Sequence, residues 1–491
     1  MKVSQLIKQA GITPSSCVIA AADPVIEDIA YDSRTVKAGD LFVAIAGLRD
    51  NGDIYIKDAL EKGAVAVLSE NPQPGCAVTW VQVDDSRAAL GMLANALWSI
   101  DQKSMLNVGI TGTNGKTTTS YFYKKLMDQL FGEDCSWMFG TVQSVLGTEV
   151  SDSTHTTPEA LDLLRLVNRA AIPPRSMVME VSSHALSLKR VAGIQYDLAV
   201  WTNLTLDHLD FHGDMQQYYK AKKLLFTEHM KQCGVAVVNI DDPWGKRLSE
   251  ELANTTNVVT YGKDDAAMVK IISSNCDWNG CLVGVEYQQE KSEFHSPLKG
   301  HFNVYNMVAM IAGAFALNID RKKIQDAFSE MNRVPGRMDR VPVDAPFVVI
   351  VDYAHTPDAL VNVLQAARPL TSGELICVFG CGGDRDKSKR AIMGESVALN
   401  CDEAIVTSDN PRSEKPESII AQIVQGIPLD FPHTVITNRR DAIEGAIRRA
   451  KSGDCIVVAG KGHEEYQEML GVRSHFSDTE TVQEIYKELK G

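Results

Sequence analysis

No stretch of the chain reaches the roughly 18 consecutive apolar residues that a membrane-spanning helix needs, so no such helix and no membrane partner are expected. None of the 10 cysteines forms a CxxC pair, and no His/Cys group has zinc-finger spacing. The closest pairs are Cys276/Cys281 and Cys377/Cys381. Reduced thiols and a cytoplasmic location are the expectation. The opening segment, MKVSQLIKQAGITPSS, has neither a long apolar core nor a small-residue cleavage site, so a secretory signal is not expected there. Positive charge is also in short supply. Lys+Arg number 49 against 63 Asp+Glu, a formal net charge of -14. That balance argues against a nucleic-acid partner, whose phosphates want a basic face. It does not exclude a small anionic substrate, which a few lysines, arginines and helix N-termini can hold inside an acidic protein. Internal repeats of fixed period and low-complexity tracts are absent too.

What is present is ordinary for a globular protein: 491 residues, 44% hydrophobic and 23% charged. At roughly 100–200 residues per domain this length predicts about three domains, each able to bury its own core. Residues 1–102 alternate short strands and helices (DLFVAIAG, a helix ending at EKG, AVAVLSE, then the helix ALGMLANALWSI), and the polar DQKSM follows as a boundary. Residues 103–335 open with LNVGITGTNGKTTTSYFYKKLMDQL, read as strand, Gly-rich turn and helix. The apolar segments SMVMEVSSH, YDLAVWTNL and GVAVVNIDD follow, each ended by polar residues. Strands alternating with helices predict an α/β fold with a mostly parallel sheet covered on both faces. Pro335 and Gly336 mark the next boundary. Residues 336–491 repeat the pattern with FVVIVDY, ELICVFG, EAIVTSD, HTVIT and DCIVVAG. Ligands of such sheets sit at the carboxyl ends of the strands, so this last domain is also expected to carry a site.

The strongest local signal is Gly109-Ile110-Thr111-Gly112-Thr113-Asn114-Gly115-Lys116-Thr117, continuing into Thr118. Glycines let backbone N–H groups turn toward phosphate oxygens. Lys116 would reach the β/γ-phosphates, and the Thr117 hydroxyl could ligate Mg²⁺. The helix predicted from Thr118 onward aims its positive end at the anion. The match departs from the strict Walker pattern, because the first Gly would fall at 110, which is Ile. Such a loop predicts ATP as a co-substrate but does not separate protein machines, small-molecule kinases and ligases.

Glu180 ends the strand SMVMEV, and Asp207 and His208 follow the strand LAVWTNL. Carboxylate, imidazole and hydroxyl donors at strand ends suit Mg²⁺ beside phosphates. Lys222 lies in YYKAKKLLF, a predicted helix on which a solvated face is the plainer reading.

TGTNGKTT, EVSSHAL, NLTLDHLDFHG, GHFNVYN, PGRMDR, DYAHTPDAL and GKGHE occur together and in this order. The ordered set resembles the Mur ligases, the cytoplasmic amino-acid-adding enzymes of peptidoglycan synthesis, over essentially the whole chain. YDSR, GDLFVAIAG, HTTPEAL, GCGGDRDKSKR and TSDNPR resemble the branch that joins meso-diaminopimelate to UDP-N-acetylmuramoyl-L-alanyl-D-glutamate. The resemblance implies an N-terminal UDP-binding domain, a central P-loop-type ATPase and a C-terminal Rossmann-like domain that binds the amino acid. It implies Mg²⁺ as cofactor and a monomeric protein.

Carried over residue by residue, the resemblance makes Lys116, Lys222 and His208 catalytic. It gives ATP to Gly112, Thr113, Asn114, Gly115, Lys116, Thr117, Thr118, Asn303, Arg337 and Asp352. It gives Mg²⁺ to Thr117, Glu180, His208 and a carbamylated Lys222, a modification that turns an ammonium into an anion able to bind metal. His355 shares a motif with Asp352 and receives no role. The UDP-linked dipeptide falls to Tyr31, Ser33, Thr156, Thr157, Ser182 and Arg190. Where the family often carries Gln two residues before that Arg, this chain has Leu188. Diaminopimelate falls to Arg385, Asp409, Asn410, Pro411, Arg412, Gly460 and Glu464. The chemistry is consistent: Arg412 offers a fork to the distal carboxylate, and Asp409 and Glu464 can hold the distal ammonium. Competing expectations are the same ligase using L-lysine, a folylpolyglutamate synthase-like ligase, a P-loop transport or remodelling ATPase, and a non-catalytic nucleotide-binding module.

Overall fold

The C-terminal apolar segments predicted as strands alternate Val, Ile and Cys side chains with period two, which delivers apolar groups to both faces. In the computed structural model they form a six-stranded sheet ordered Asp339–Arg340, Val348–Asp352, Cys455–Ala459, Leu375–Phe379, Glu403–Val406 and His433–Val435. All pairings are parallel except the first. On one face Ile350, Cys377, Phe379, Val406 and Val457 pack under the helices Pro357–Ala367, Lys389–Ala398 and Pro416–Val424. On the other, Val349, Val351, Ile376, Val378 and Val458 pack under Arg439–Arg449 and Asp478–Lys490. This is the three-layer arrangement that the alternating pattern predicts.

The structure describes residues 1–20, 22–47, 51–72, 78–153, 155–277 and 279–490. The chain forms two compact units that interleave along the sequence. One comprises Met1–Gly109, Phe131–Ala199 and Ala221–Gly234; the other comprises Ile110–Leu130, Val200–Lys220 and Val235–Gly491.

The first unit holds a five-stranded sheet, ordered Ser16–Val18, Thr79–Gln82, Ala66–Ser69, Leu41–Val43 and Ile29–Ala30, antiparallel only at its first pair. The predicted helix following it runs Ser86–Trp98, capped by Asp85, whose side chain accepts from Ala88 N–H. The central apolar segments join an eleven-stranded sheet whose order is Glu290–Ser296, Gly280–Tyr287, Val269–Asp277, Asn257–Gly262, Met230–Asn239, Tyr196–Trp201, Leu106–Thr111, Ser176–Glu180, Ser136–Phe139, Gln143–Leu146 and Glu149–Asp152. The parallel pairs include Ser176–Glu180 with Ser136–Phe139 and Met230–Asn239 with Asn257–Gly262. Antiparallel additions finish both ends.

One of these antiparallel additions corrects the reduced-thiol expectation. Strands Val269–Asp277 and Gly280–Tyr287 pair with Cys276 directly opposite Cys281. The structure joins these two in a disulfide, their Cα atoms 4.1 Å apart. A separation of five residues said nothing of this until a hairpin register placed both on facing positions.

Among the described residues, no helix is long and apolar enough to cross a membrane. At the starts of the helices Arg439–Arg449 and Asp478–Lys490, the side chains of Arg439 and Asp478 are wholly buried, and the guanidinium donates through Nε and Nη2 to both carboxylate oxygens at 2.7 Å. Removing one partner strands the other charge. Arg439→Met is therefore expected to lower unfolding stability by about 3–5 kcal/mol, read as a shift in the urea midpoint. A loss below 1 kcal/mol would contradict that assignment.

Candidate functional site

The Gly-rich turn follows the strand Leu106–Thr111 and opens the helix Lys116–Phe131, two residues earlier than the sequence predicts. Gly112 and Gly115 have φ of 146° and 87°, values that an L side chain rarely adopts. A Cβ on Gly112 would fall on the Thr202 hydroxyl, and one on Gly115 would meet the Asn306 carboxamide. The loop is pinned from the neighbouring strand end: Thr113 N–H donates to Asn203 O and Asn114 N–H to Asn203 Oδ1, both at 2.9 Å. Lys116 Nζ donates to its own loop, to Gly112 O at 2.9 Å and Thr113 O at 2.8 Å. The ammonium is thereby held over the turn where phosphates would seat.

Beside the loop lies a cavity of about 450 Å³. Of the residues that the resemblance gives to ATP, Asn114, Gly115, Thr117, Thr118, Arg337 and Asp352 line it, and Gly112, Thr113 and Lys116 do not. Asn303 does not line it. Asn306, one turn further along the helix Phe302–Ala316, does, and Asn303 Oδ1 accepts from its Nδ2 at 2.9 Å. Arg337 Nη2 donates to Thr117 Oγ1 at 3.0 Å, and the guanidinium lies over the Tyr353 ring. Both Asp352 oxygens accept backbone N–H groups, from Met338 and Ala354. Burial raises its carboxyl above the usual range, against the nearby Arg337 charge. Asn114 Nδ2 donates to Asp358 Oδ2 at 2.7 Å, a link that the sequence did not signal.

His208 sits in a left-handed conformation with φ 56°, so the chain turns sharply after the strand Tyr196–Trp201. Its Nε2 lies 3.4 Å from Asp207 Oδ2. Asp207 also faces the buried ammonium of Lys389 at 3.4 Å. Burial pushes the Asp207 carboxyl up, but the charges of His208, Lys389 and His355 outweigh it and hold it below the carboxylate range. His355 takes the opposite shift: burial, then Lys389, bring its imidazole down to about 4. Its Nδ1 lies 2.8 Å from Tyr353 O, so the neutral ring donates there and leaves Nε2 as acceptor.

The predicted diaminopimelate residues gather at the strand ends of the six-stranded sheet. Asp409 and Asn410 are buried after Glu403–Val406. Asn410 Nδ2 donates to Glu464 Oε2 at 2.8 Å. Gly460 takes φ 119°, and a Cβ there would strike the Asp409 carboxylate. Arg412 is left-handed at φ 52°, after Pro411, and its Nη1 donates to Gly383 O at 2.7 Å. The hairpin Tyr466–Met469 with Val472–His475, unforeseen from the sequence, receives Arg412 N–H on Glu468 O at 3.0 Å. Buried Arg390 bonds Glu414, which also accepts from Asp384 N–H and so ties the GGDR loop to the NPR loop. This hydrogen bonding brings the Glu414 carboxyl down to about 2. Arg385 itself is exposed, with Nη1 near Asp384 O.

All these residues fall in the second unit, whereas Tyr31, Ser33, Thr156, Thr157, Glu180, Ser182, Arg190 and Lys222 fall in the first. There four of them converge. Thr157 Oγ1 donates to Glu180 O at 2.8 Å and accepts from Ser182 N–H. Thr141 donates to both Glu180 oxygens, from N–H at 2.8 Å and from Oγ1 at 2.9 Å, and its hydroxyl oxygen lies 3.2 Å from Thr156 Oγ1. Arg190 Nε lies 3.4 Å from Glu159 Oε1, which Arg87 also engages. Tyr31 OH donates to Asp162 Oδ2 at 2.7 Å, and the backbone O of buried Ser33 accepts from Lys62. Lys222, on the helix Met215–Glu228, is only 1% exposed, which removes the solvated-face reading. Leu188 caps the short helix Ser183–Ser187, after which the chain turns at Lys189 into Arg190. Among the described residues, no three His, Cys, Asp or Glu side chains group as a metal centre by themselves.

Three family models match in order: "Mur ligase family, catalytic domain" over residues 25–98, "Mur ligase middle domain" over 110–314, and "Mur ligase, glutamate ligase domain" over 336–462. A protein of Syntrophomonas wolfei named UDP-N-acetylmuramoyl-L-alanyl-D-glutamate--2,6-diaminopimelate ligase is 42% identical, covering 99% of each chain. The chain belongs to the Mur ligase family. A Gloeobacter violaceus protein of the same name is 41% identical to this Mur ligase over 99% of the chain and 98% of its own. A solved structure of a ligase so named superposes with TM-score 0.69 at 33% identity, covering both chains fully. A folylpolyglutamate synthase from Mycobacterium tuberculosis, at 19% identity and TM-score 0.60 over 77% of the chain and 92% of its own, shares the fold.

Proposed function

We propose that this Mur ligase activates the D-glutamyl carboxylate of UDP-N-acetylmuramoyl-L-alanyl-D-glutamate as an acyl phosphate and joins it to meso-diaminopimelate. It is an ATP-dependent, ADP-forming acid–amino-acid ligase of peptidoglycan precursor synthesis. The observation that carries the substrate assignment is the cluster of Asp409, Asn410, Arg412 and Glu464, where one guanidinium and two carboxylates match the distal carboxylate and ammonium of a diamino diacid. An L-lysine side chain brings no distal carboxylate to Arg412.

The residues of the second unit do most of the chemistry. Lys116 and the N–H groups of its loop take the triphosphate, and Arg337 supplies a further positive charge beside Thr117. Asp207 holds the buried ammonium of Lys389 at 3.4 Å, and His355 stays neutral beside them. Residues Thr156, Thr157, Ser182 and Arg190 of the first unit position the UDP-linked dipeptide. Mg²⁺ is the proposed cofactor. In the second unit the Thr117 hydroxyl and the His208 imidazole, and in the first unit the Glu180 carboxylate and a carbamate on buried Lys222, are donors of the kind that ion takes, and it would neutralise phosphate charge when bound. We place the enzyme in the cytoplasm, where ATP and the nucleotide precursor occur, and read it as a monomer of three domains, 1–102, 103–335 and 336–491.

In this route one carboxylate oxygen leaves with the phosphate when the amine displaces it. Dipeptide labelled with heavy oxygen in the D-glutamyl carboxylate is expected to deliver label to released phosphate. The same assay with a panel of amino acids is expected to respond to diaminopimelate and not to lysine. Unlabelled phosphate would overturn the acyl-phosphate step, and equal turnover with lysine would overturn the substrate.

A further inference from the structure

The side chain of Lys461 is wholly buried beside the diaminopimelate pocket, and no role has yet been given to it. Its Nζ donates to Asn410 Oδ1 at 2.9 Å and to Tyr466 O at 2.6 Å, and stands 3.8 Å from Glu464 Oε2. Burial, with the nearby Arg439 charge, brings its ammonium below the usual lysine range, while Asp409 and Glu464 act to keep it charged. Asn410 Oδ1 accepts a second donor, Glu468 N–H, at 2.9 Å. Two donors fill the lone pairs of a carboxamide oxygen. The amide cannot then turn over, and its Nδ2 end is committed to Glu464 Oε2.

Charge leads to the same residue. Arg439 and Asp478, the next ionised groups, neutralise each other. With the Arg412 guanidinium matched by the incoming distal carboxylate, that leaves Asp409, Glu464 and Lys461, two carboxylates with one ammonium, and hence a single net negative charge for one incoming ammonium. Without Lys461, two buried carboxylates would face one cation, and one of them would stay uncompensated.

We infer that Lys461 is a positioning residue for amino-acid selection: it locks the Asn410 carboxamide toward Glu464 and sets the pocket to accept one distal ammonium. This rests on the diaminopimelate reading above. It also roots the hairpin through Tyr466 O, and that hairpin holds the Arg412 backbone through Glu468 O. One buried cation thus orients both recognition arms.

The test uses the full chain with ATP, the UDP-linked dipeptide and diaminopimelate. Lys461→Met is expected to raise the diaminopimelate KM roughly ten- to a hundredfold, the cost of unsatisfied buried polar groups. The KM values for ATP and dipeptide should stay close to those of the parent. Glu464→Gln added to Lys461→Met returns the pocket to one net negative charge. The double variant is expected to bind diaminopimelate more tightly than Lys461→Met alone, a recovery that a purely structural lysine would not give. If Lys461→Met fails to fold, the comparison moves to Lys461→Gln, which keeps a donor for Asn410 and removes the charge, with and without Glu464→Gln. An unchanged diaminopimelate KM in the folded single variant, or no recovery in the double, overturns the inference. Failure of the parent to use diaminopimelate at all overturns the function instead, so the two are told apart.

Discussion

Lys116→Ala is expected to lower kcat by about 10³-fold, because a positioned cation at the transferring phosphoryl group is among the largest single contributions to this chemistry. The side chain already lies over the phosphate loop, donating to Gly112 O and Thr113 O. Those carbonyls are weaker acceptors than phosphate oxygens, so the ammonium is pre-aimed and needs only to exchange partners. The loop has other anchors, at Asn203 and Thr202, so its shape should survive the substitution. Phosphate release at saturating substrate is the measurement, with a thermal melt as control for folding. A folded variant within tenfold of the parent would mean that Lys116 does not meet the transferring group.

The second large effect concerns Arg412. Its truncation to alanine removes one partner of a largely desolvated charge pair, an effect of about 3–5 kcal/mol, or roughly 10²- to 10³-fold or more in kcat/KM for diaminopimelate. Lysine has nothing to lose there, so the ratio of the two amino acids should collapse by a similar factor. In the parent, discrimination on the order of 10⁴-fold is within reach of a site that leaves the half-buried Arg412 guanidinium without a carboxylate when the wrong ligand enters. Arg412→Lys should not rescue the ratio. The Nη1 bond to Gly383 O sets the plane of a fork, and an ammonium has no second edge to offer. Competition kinetics with both amino acids decide it, and a variant that keeps the parental ratio would move recognition away from Arg412.

Much of this architecture was legible in the sequence because the central and C-terminal strands are short apolar runs closed by Gly or polar residues. Val348–Asp352, Leu375–Phe379 and Cys455–Ala459 fall where the pattern predicts. The phosphate loop was legible for the same reason: glycines at 112 and 115 answer a local demand on φ. The antiparallel strands Gln143–Leu146 and Glu149–Asp152 were not, since Glu149–Asp152 is exposed and carries no buried apolar period. Single polar residues were harder still. Asn306, Asp358, Lys389 and Lys461 all lie inside the motifs GHFNVYN, DYAHTPDAL, GCGGDRDKSKR and GKGHE, but their contacts are with partners far along the chain, which the motifs alone do not reveal. Lys222 shows the limit most plainly, because a lysine-rich helix face reads as wet until the fold covers it.

The hydrogen bond from Asn114 to Asp358 spans 244 residues, and that from Arg337 to Thr117 spans 220. The nucleotide chamber therefore has walls made at very different times during synthesis. A nascent chain still short of Asp358 has the loop but lacks a wall, and should grip ATP weakly. The ribosome must release most of the protein before the fuel chamber is complete, so a half-made ligase has little capacity to burn ATP idly.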